Sequence, residues 1–418
     1  MTVYQAPINE MRFAIDEIAD IASVNALSED TAVTPDMVTA ILEEAGKFCS
    51  EVLAPINQRG DSCGSFIDNG VVRTPEGFSD AYKNFVKNGW NGMPFDTKYG
   101  GQGLPWLLTT AVSEMIQSAN LSFALCPLLT QGAVELLSAH GSETLKSLFL
   151  KKMVTGEWNG TMNLTEPQAG SDLSKIRMKA KRDGEYYRLF GTKIYITYGE
   201  HDFTDNIVHM VLGRTEGAPD GIHGISLFVV PKYLVNENGS LGQRNDLRAV
   251  SLEHKLGIKA SPTAVMSYGD NEGAIGYLVG EECRGIHYMF TMMNNARLAV
   301  GLTGVAIAER AYQVSKKYAN ERIQSHLVGA HIKEPVNIIK HPDIKRMLLS
   351  MKSQTEASRL LTYFVAGQLD IAKLHHNLQI KNNAQGIVDL LIPVVKAWGS
   401  DIGFDVANTA IQVHGGMG

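Results

Sequence analysis

Cysteine is scarce. Only Cys49, Cys63, Cys126 and Cys283 occur in 418 residues, and no two form a C-x-x-C pair. Spacing that wide fits neither a disulfide framework nor a zinc site, so reduced thiols in a cytoplasmic protein are expected. No long run of one charge sign occurs and the formal net charge is −6. That argues against nucleic acid as the main partner, while leaving room for a local basic pocket around an anionic cofactor. Neither G-x-G-x-x-G nor G-x-x-x-x-G-K is present, which leaves a Rossmann or P-loop site without support. No stretch reads as long and apolar enough to span a bilayer, so no integral membrane segment is expected. Residues 1–20 lack both a hydrophobic signal core and the Arg/Ser bias of a transit peptide.

What is present is an ordinary globular composition, 44% hydrophobic and 20% charged over 418 residues, a length that calls for two or three domains. Residues 1–160 read as helical, with Phe13, Ile15, Ile18, Ile21 and Ala22 near helical spacing and Thr34-Pro35 as a helix start. Residues 161–284 shift to a strand period, with Asp183-Gly184 as a hairpin signal and Ile225–Val230 as a buried strand. Residues 285–418 return to helices over 289–322, 342–372 and 385–413, the last interrupted at Pro393.

Two strand-like stretches broken by Thr, Ser and Gly stand out: Met162-Asn-Leu-Thr-Glu-Pro-Gln-Ala-Gly-Ser-Asp172 and Gly191-Thr-Lys-Ile-Tyr-Ile-Thr-Tyr-Gly199. Together they can offer hydroxyls and backbone N–H groups to one flat, electron-rich ligand. A blander reading stands beside each. Ser171 and Asp172 would cap a turn in any loop, and Tyr195-Ile-Thr197 is also an alternating strand with one outward face. Asn294 and Arg297, three apart, share a helix face, as ordinary self-satisfied polar residues would. Glu321-Arg322 reads as a helix end and His341, before Pro342, as a helix cap. The string Gln412-Val-His-Gly-Gly-Met-Gly418 is either a helix terminus or a place where backbone approaches a ligand closely.

In this order, and across Gly89–Gly418, these strings resemble the acyl-CoA dehydrogenase family of flavoenzymes. The resemblance implies an N-terminal α-helical domain, a central antiparallel β domain and a C-terminal α-helical bundle. It implies FAD, with Met162, Leu164 and Thr165 lining the flavin and Ser171 at the mouth, near flavin and CoA. Tyr195 replaces the family's usual Trp stacked on the ring, and Thr197 lies beside N5. Asn294, where relatives carry Asp, and Arg297 would contact CoA. Arg322 would reach the flavin pyrophosphate of a neighbouring subunit, His341 would lie near the same cofactor, and Gln412, Gly415 and Gly416 would lie against the adenosine. The implied partners are an acyl-CoA substrate, an electron-transferring flavoprotein and further copies in a homodimer or homotetramer. Gly141-Ser-Glu, Gly199-Glu-His-Asp, Glu253–Pro262, Lys340-His-Pro-Asp343, Arg346-Met-Leu-Leu349 and the polar insert Asn236–Asn245 resemble a branch acting on 3-methylthiopropanoyl-CoA in dimethylsulfoniopropionate degradation.

The implied reaction removes an α-proton and a β-hydride from opposite faces of one C–C bond. It needs a carboxylate base, a hydride acceptor and donors to the thioester oxygen. In that branch the base is a Glu in a Tyr-Glu-Gly-Thr string beyond the terminal glycines. No Tyr-Glu-Gly occurs in this chain, so the base is expected beyond Gly418 and no substitute is nominated; Glu166 would face the wrong way. The expectation is a truncated chain, inactive or weakly active. An acyl-CoA oxidase-type flavoenzyme and a non-catalytic flavin- or CoA-binding relative are the alternatives.

Overall fold

A computed structural model describes residues 4–27, 32–329, 331 and 334–418. The chain folds into two compact units: Met1–Pro55, Leu104–Leu121 and Arg297–Gly418 form one, Ile56–Gly103 and Ser122–Ala296 the other.

The first unit is helical. Thr34 accepts the Met37 N–H at 3.2 Å and Pro35 takes the first helical position, as the sequence predicts. The expected helix around Arg12–Ala22 is broken instead. Ile8–Phe13 runs into a wide π turn at Ala14–Ile18, and Asp20, at φ 53°, caps a new start at Ile21–Asn25. That phase slip leaves Phe13 52% and Ile18 38% exposed while Met11, Ile15 and Val24 are buried. The helix Leu378–His414 passes straight through Pro393. Pro393 is exposed, so the carbonyl it leaves unpaired one turn earlier can bond to water.

Packing here depends on backbone proximity. A Cβ on Gly304, in the helix Gly285–Glu321, would lie 1.8 Å from the Gly399 carbonyl oxygen in Leu378–His414. Around it Ala308, Met347, Met351, Ile402 and Val406 form a core. Asp370 caps the helix Trp106–Ala119 from far along the chain, accepting the N–H groups of Trp106 at 2.8 Å and Leu107 at 2.9 Å. Deeper in, Arg359 is bound bidentately by Glu114 and again by Glu309 at 2.7 Å, and Tyr363 donates to Glu114 at 2.8 Å.

The second unit is built on strands β1 (Phe66–Asp68), β2 (Val71–Arg73), β3 (Asn159–Asn163), β4 (Lys179–Asp183), β5 (Tyr186–Thr197), β6 (Ile207–Thr215), β7 (Ser226–Pro231), β8 (Tyr233–Val235), β9 (Leu241–Arg244), β10 (Leu247–Leu252), β11 (Thr263–Tyr268) and β12 (Ala274–Leu278). The main sheet has the order β10-β11-β5-β12-β7-β6-β3, with β4 beside β5 and β6. It is mixed rather than wholly antiparallel, because β3 and β4 each run parallel to β6. The β4–β5 hairpin closes at Asp183 and Tyr186, as predicted. β7 is buried along its whole length and β6 nearly so, hence their continuous apolar runs. The segment read as helices joined by turn-rich passages contains the β1–β2 hairpin, turning at Asn69-Gly70 with φ 49° and 78°; that dipeptide is a hairpin signal in its own right. The polar insert supplies the turn and the second strand of the β8–β9 hairpin.

One described helix, Leu121–His140, has the length and hydropathy of a membrane span, contrary to the sequence expectation, and 78% of its apolar window is buried within the protein. It is a core helix.

Candidate functional site

The two flavin-like strings meet in the second unit. Just past β3, the Thr165 carbonyl accepts the Ile194 N–H at 2.9 Å, and the Thr161 hydroxyl donates to the Thr197 carbonyl at 2.7 Å. Opposite β11 the register slips: Ala264 pairs with Ile196 but Met266 with Lys193. Ile194 and Tyr195 therefore face Val265 alone, a β-bulge. The buried positions of β5 record the same slip, running Tyr187, Leu189 and Lys193, then Ile196. Tyr195 sits at φ 60°, unusual for a bulky residue, and is 60% exposed. Met162, Thr165 and Thr197 are half-buried and Leu164 buried. Tyr198, also left-handed at φ 52°, turns inward instead. Its hydroxyl donates to the Ser122 carbonyl at 2.7 Å, and burial pushes its pKa up.

Glu166 is buried, at 4% exposure. Its carboxylate accepts Lys193 Nζ at 2.8 Å, the Arg177 N–H at 2.7 Å and the Met178 N–H at 3.1 Å. Burial alone would raise its pKa, but the Lys193 charge and these bonds outweigh it and hold the carboxyl below its usual range. Burial lowers the Lys193 ammonium to about 8 against the pull of Glu166. Ser171 is exposed on the loop between, and Asp172 caps the turn Leu173–Lys175 by accepting the Ser174 N–H at 3.0 Å. Hydrogen bonds from Ser174 lower its pKa.

Behind β3 lies a buried polar set that the sequence reading did not anticipate. Tyr268 donates to Asn163 Oδ1 at 2.8 Å, and His209 Nδ1 lies 3.3 Å from Asn163 Nδ2 and 3.1 Å from the Tyr268 hydroxyl. Burial, with Lys232 and Arg244 adding to it, depresses the His209 pKa to about 3, so the ring is neutral. Nearby, Glu200 is buried and paired with Lys232 at 2.5 Å and Arg244 at 3.4 Å. Lys193, in phase with Tyr187 and Leu189 on the inward face of β5, was the available clue to a buried ion pair.

The remaining candidates fall elsewhere. Asn294 and Arg297 are half-buried, three residues apart on Gly285–Glu321. In the first unit, Arg322 and His341 converge on Gln324: Arg322 donates to its side chain at 3.4 Å, and His341 Nε2 lies 2.8 Å from its carbonyl. Gln412, Gly415 and Gly416 are exposed at the end of Leu378–His414. Gly415, at φ 61° and ψ −132°, holds a conformation open to glycine. A Cβ on Gly416 would meet no atom of the chain within 4 Å.

An aromatic face raised by a bulge, with Thr197 two residues on in the same strand and Thr165 just past the end of β3, fits a flat ring with a polar edge. Comparison with known proteins gives the family. Family models described as the acyl-CoA dehydrogenase N-terminal, middle and C-terminal domains match residues 36–157, 161–270 and 283–418. The chain is 50% identical, over 99% of its length and 70% of the relative's, to 3-methylmercaptopropionyl-CoA dehydrogenase of Ruegeria pomeroyi. It is 34% identical, with the same coverage, to a butyryl-CoA dehydrogenase of Syntrophomonas wolfei. The solved butyryl-CoA dehydrogenase of Megasphaera elsdenii shares the fold, with TM-score 0.72 and 24% identity over 92% of this chain and 89% of that one. The expectation of a truncated and therefore inactive chain is not borne out by these matches.

Proposed function

The chain belongs to the acyl-CoA dehydrogenase family and is an FAD-dependent acyl-CoA dehydrogenase, and we propose that its substrate is 3-methylthiopropanoyl-CoA. The 50% identity to the Ruegeria pomeroyi enzyme is the observation that carries this choice.

FAD, when bound, supplies the acceptor for the β-hydrogen. The protein's part is placement. In this reading Tyr195 stacks on the ring, the strand end at Met162, Leu164 and Thr165 lines it, and Thr197 meets its reactive edge. Ser171 lies at the mouth near flavin and CoA, and Asn294 and Arg297 contact CoA. Arg322, His341, Gln412, Gly415 and Gly416 serve the pyrophosphate and adenosine of a second copy's cofactor, in a homodimer or homotetramer. Electrons leave to an electron-transferring flavoprotein. The three segments 1–160, 161–284 and 285–418 are the domains of this arrangement. A cytoplasmic setting accords with four cysteines that are all free.

Anaerobic addition of 3-methylthiopropanoyl-CoA to the FAD-loaded protein should bleach the visible flavin band, and butanoyl-CoA should do so more slowly. A faster response to butanoyl-CoA sinks the substrate assignment, and no bleaching with either sinks dehydrogenation by this chain.

A further inference from the structure

Glu166 and Lys193 tie together the two segments that carry the flavin-lining residues. Lys193 Nζ donates to the Leu164 carbonyl at 2.9 Å and to Glu166 Oε1 at 2.8 Å. The same carboxylate takes the N–H groups of Arg177 and Met178 at 2.7 and 3.1 Å, and Gln168 Nε2 at 2.5 Å. Gln168 also reaches the Lys175 carbonyl at 3.1 Å. Both ends of the loop 167–176, which bears Ser171, thus close on one carboxylate. On the other side, Lys193 immediately precedes Ile194 and Tyr195, the bulge that presents the ring.

Burying both charges is a poor route to stability, since apolar replacements of such pairs are often neutral or better. Fixing geometry is the better-supported use. We infer that Glu166 and Lys193 are a positioning pair, a clasp that holds the Ser171 loop and the Tyr195 platform in one arrangement and so sets flavin affinity. This rests on the FAD reading above.

Three variants test it. Glu166→Gln keeps the shape and removes a charge, Lys193→Met removes the donors, and Gln168→Ala loosens the loop without stranding a buried ion. FAD affinity is read from quenching of flavin fluorescence, geometry from visible circular dichroism of bound flavin, and loop closure from tryptic cleavage after Lys175 and Arg177. Glu166→Gln and Lys193→Met should each weaken FAD at least tenfold and alter the flavin dichroism. Gln168→Ala should speed cleavage after Lys175 and alter the dichroism with a smaller loss of affinity. Folded variants with affinity within twofold of wild type and unchanged dichroism would overturn the inference. If both charge variants fail to fold, Gln168→Ala decides by the same readings. Wild-type protein that takes up no flavin would sink the FAD reading instead. The clasp then stands or falls on whether Gln168→Ala speeds tryptic cleavage.

Discussion

Thr165 and Ile194 are joined backbone to backbone at 2.9 Å, and the residue that follows, Tyr195, is thrown out of the sheet at φ 60° with 60% of its surface exposed. A left-handed conformation costs a bulky residue about 1–2 kcal/mol, and an exposed ring returns little of that to folding. Tyr195→Gly should therefore leave the melting temperature unchanged or raised. It should weaken FAD by about 1 kcal/mol, roughly fivefold, through loss of stacking, whereas Tyr195→Trp should preserve affinity. Differential scanning fluorimetry beside FAD titration separates the effects. A Tyr195→Gly protein that binds FAD as tightly as wild type would remove Tyr195 from the site.

Gly304 should tolerate no side chain. With the Gly399 carbonyl oxygen 1.8 Å from where its Cβ would be, Gly304→Ala must push two helices apart, at a cost of about 1–3 kcal/mol or more. Gly386, exposed on the helix Leu378–His414 with nothing within 4 Å, makes the contrast. Gly386→Ala should stabilise by up to about 1 kcal/mol, the difference in helix propensity. Urea midpoints of the two variants should move in opposite directions, and equal shifts would refute the packing account.

How much of this was legible in the sequence depended on the range of the interaction. Thr34-Pro35, the Asp183-Gly184 hairpin and the buried run at 225–230 are local signals, and all three appear as read. The bulge at Ile194–Tyr195 is set by pairing with β11, some seventy residues away (Val265 lies opposite), so alternation alone could not place it. Lys193 and Glu166 stand 27 residues apart in the chain, and only the fold brings them together, at zero and 3% exposure. The break at Asp20 illustrates the opposite failure. There the local helical period was genuine, but a π turn shifted its phase and put Phe13 and Ile18 outside.

Arg359 makes a third case of long-range pairing, and removing it should be severe. It is 1% exposed and faces two carboxylates, Glu114 and Glu309. Arg359→Met would leave both buried without a counter-charge, a loss of about 3–5 kcal/mol. Glu309→Gln should cost less, because the bidentate contact with both Glu114 oxygens at 3.1 and 2.7 Å survives. Equilibrium denaturation of both variants checks the ordering; a milder effect for Arg359→Met than for Glu309→Gln would contradict it.

His209 predicts how stability responds to acid. Unfolded, its imidazole titrates near 6.5, whereas burial first, and then the charges of Lys232 and Arg244, hold it at about 3 in the folded protein. Between those values the unfolded chain takes up a proton that the folded chain refuses. The stability present above pH 6.5 is therefore lost progressively as the pH falls toward 3. By about pH 5 the loss from this one group is about 2 kcal/mol, 2.303RT over roughly 1.5 pH units. Because His209 touches Asn163, within the strand that lines the proposed flavin bed, acid should loosen that strand as well as the fold. His209→Gln can retain hydrogen bonds to Asn163 and Tyr268 without titrating. Its unfolding free energy should fall between neutral pH and about pH 5 by roughly 2 kcal/mol less than wild type. Equal falls in the two proteins would mean that His209 is not the group refusing the proton.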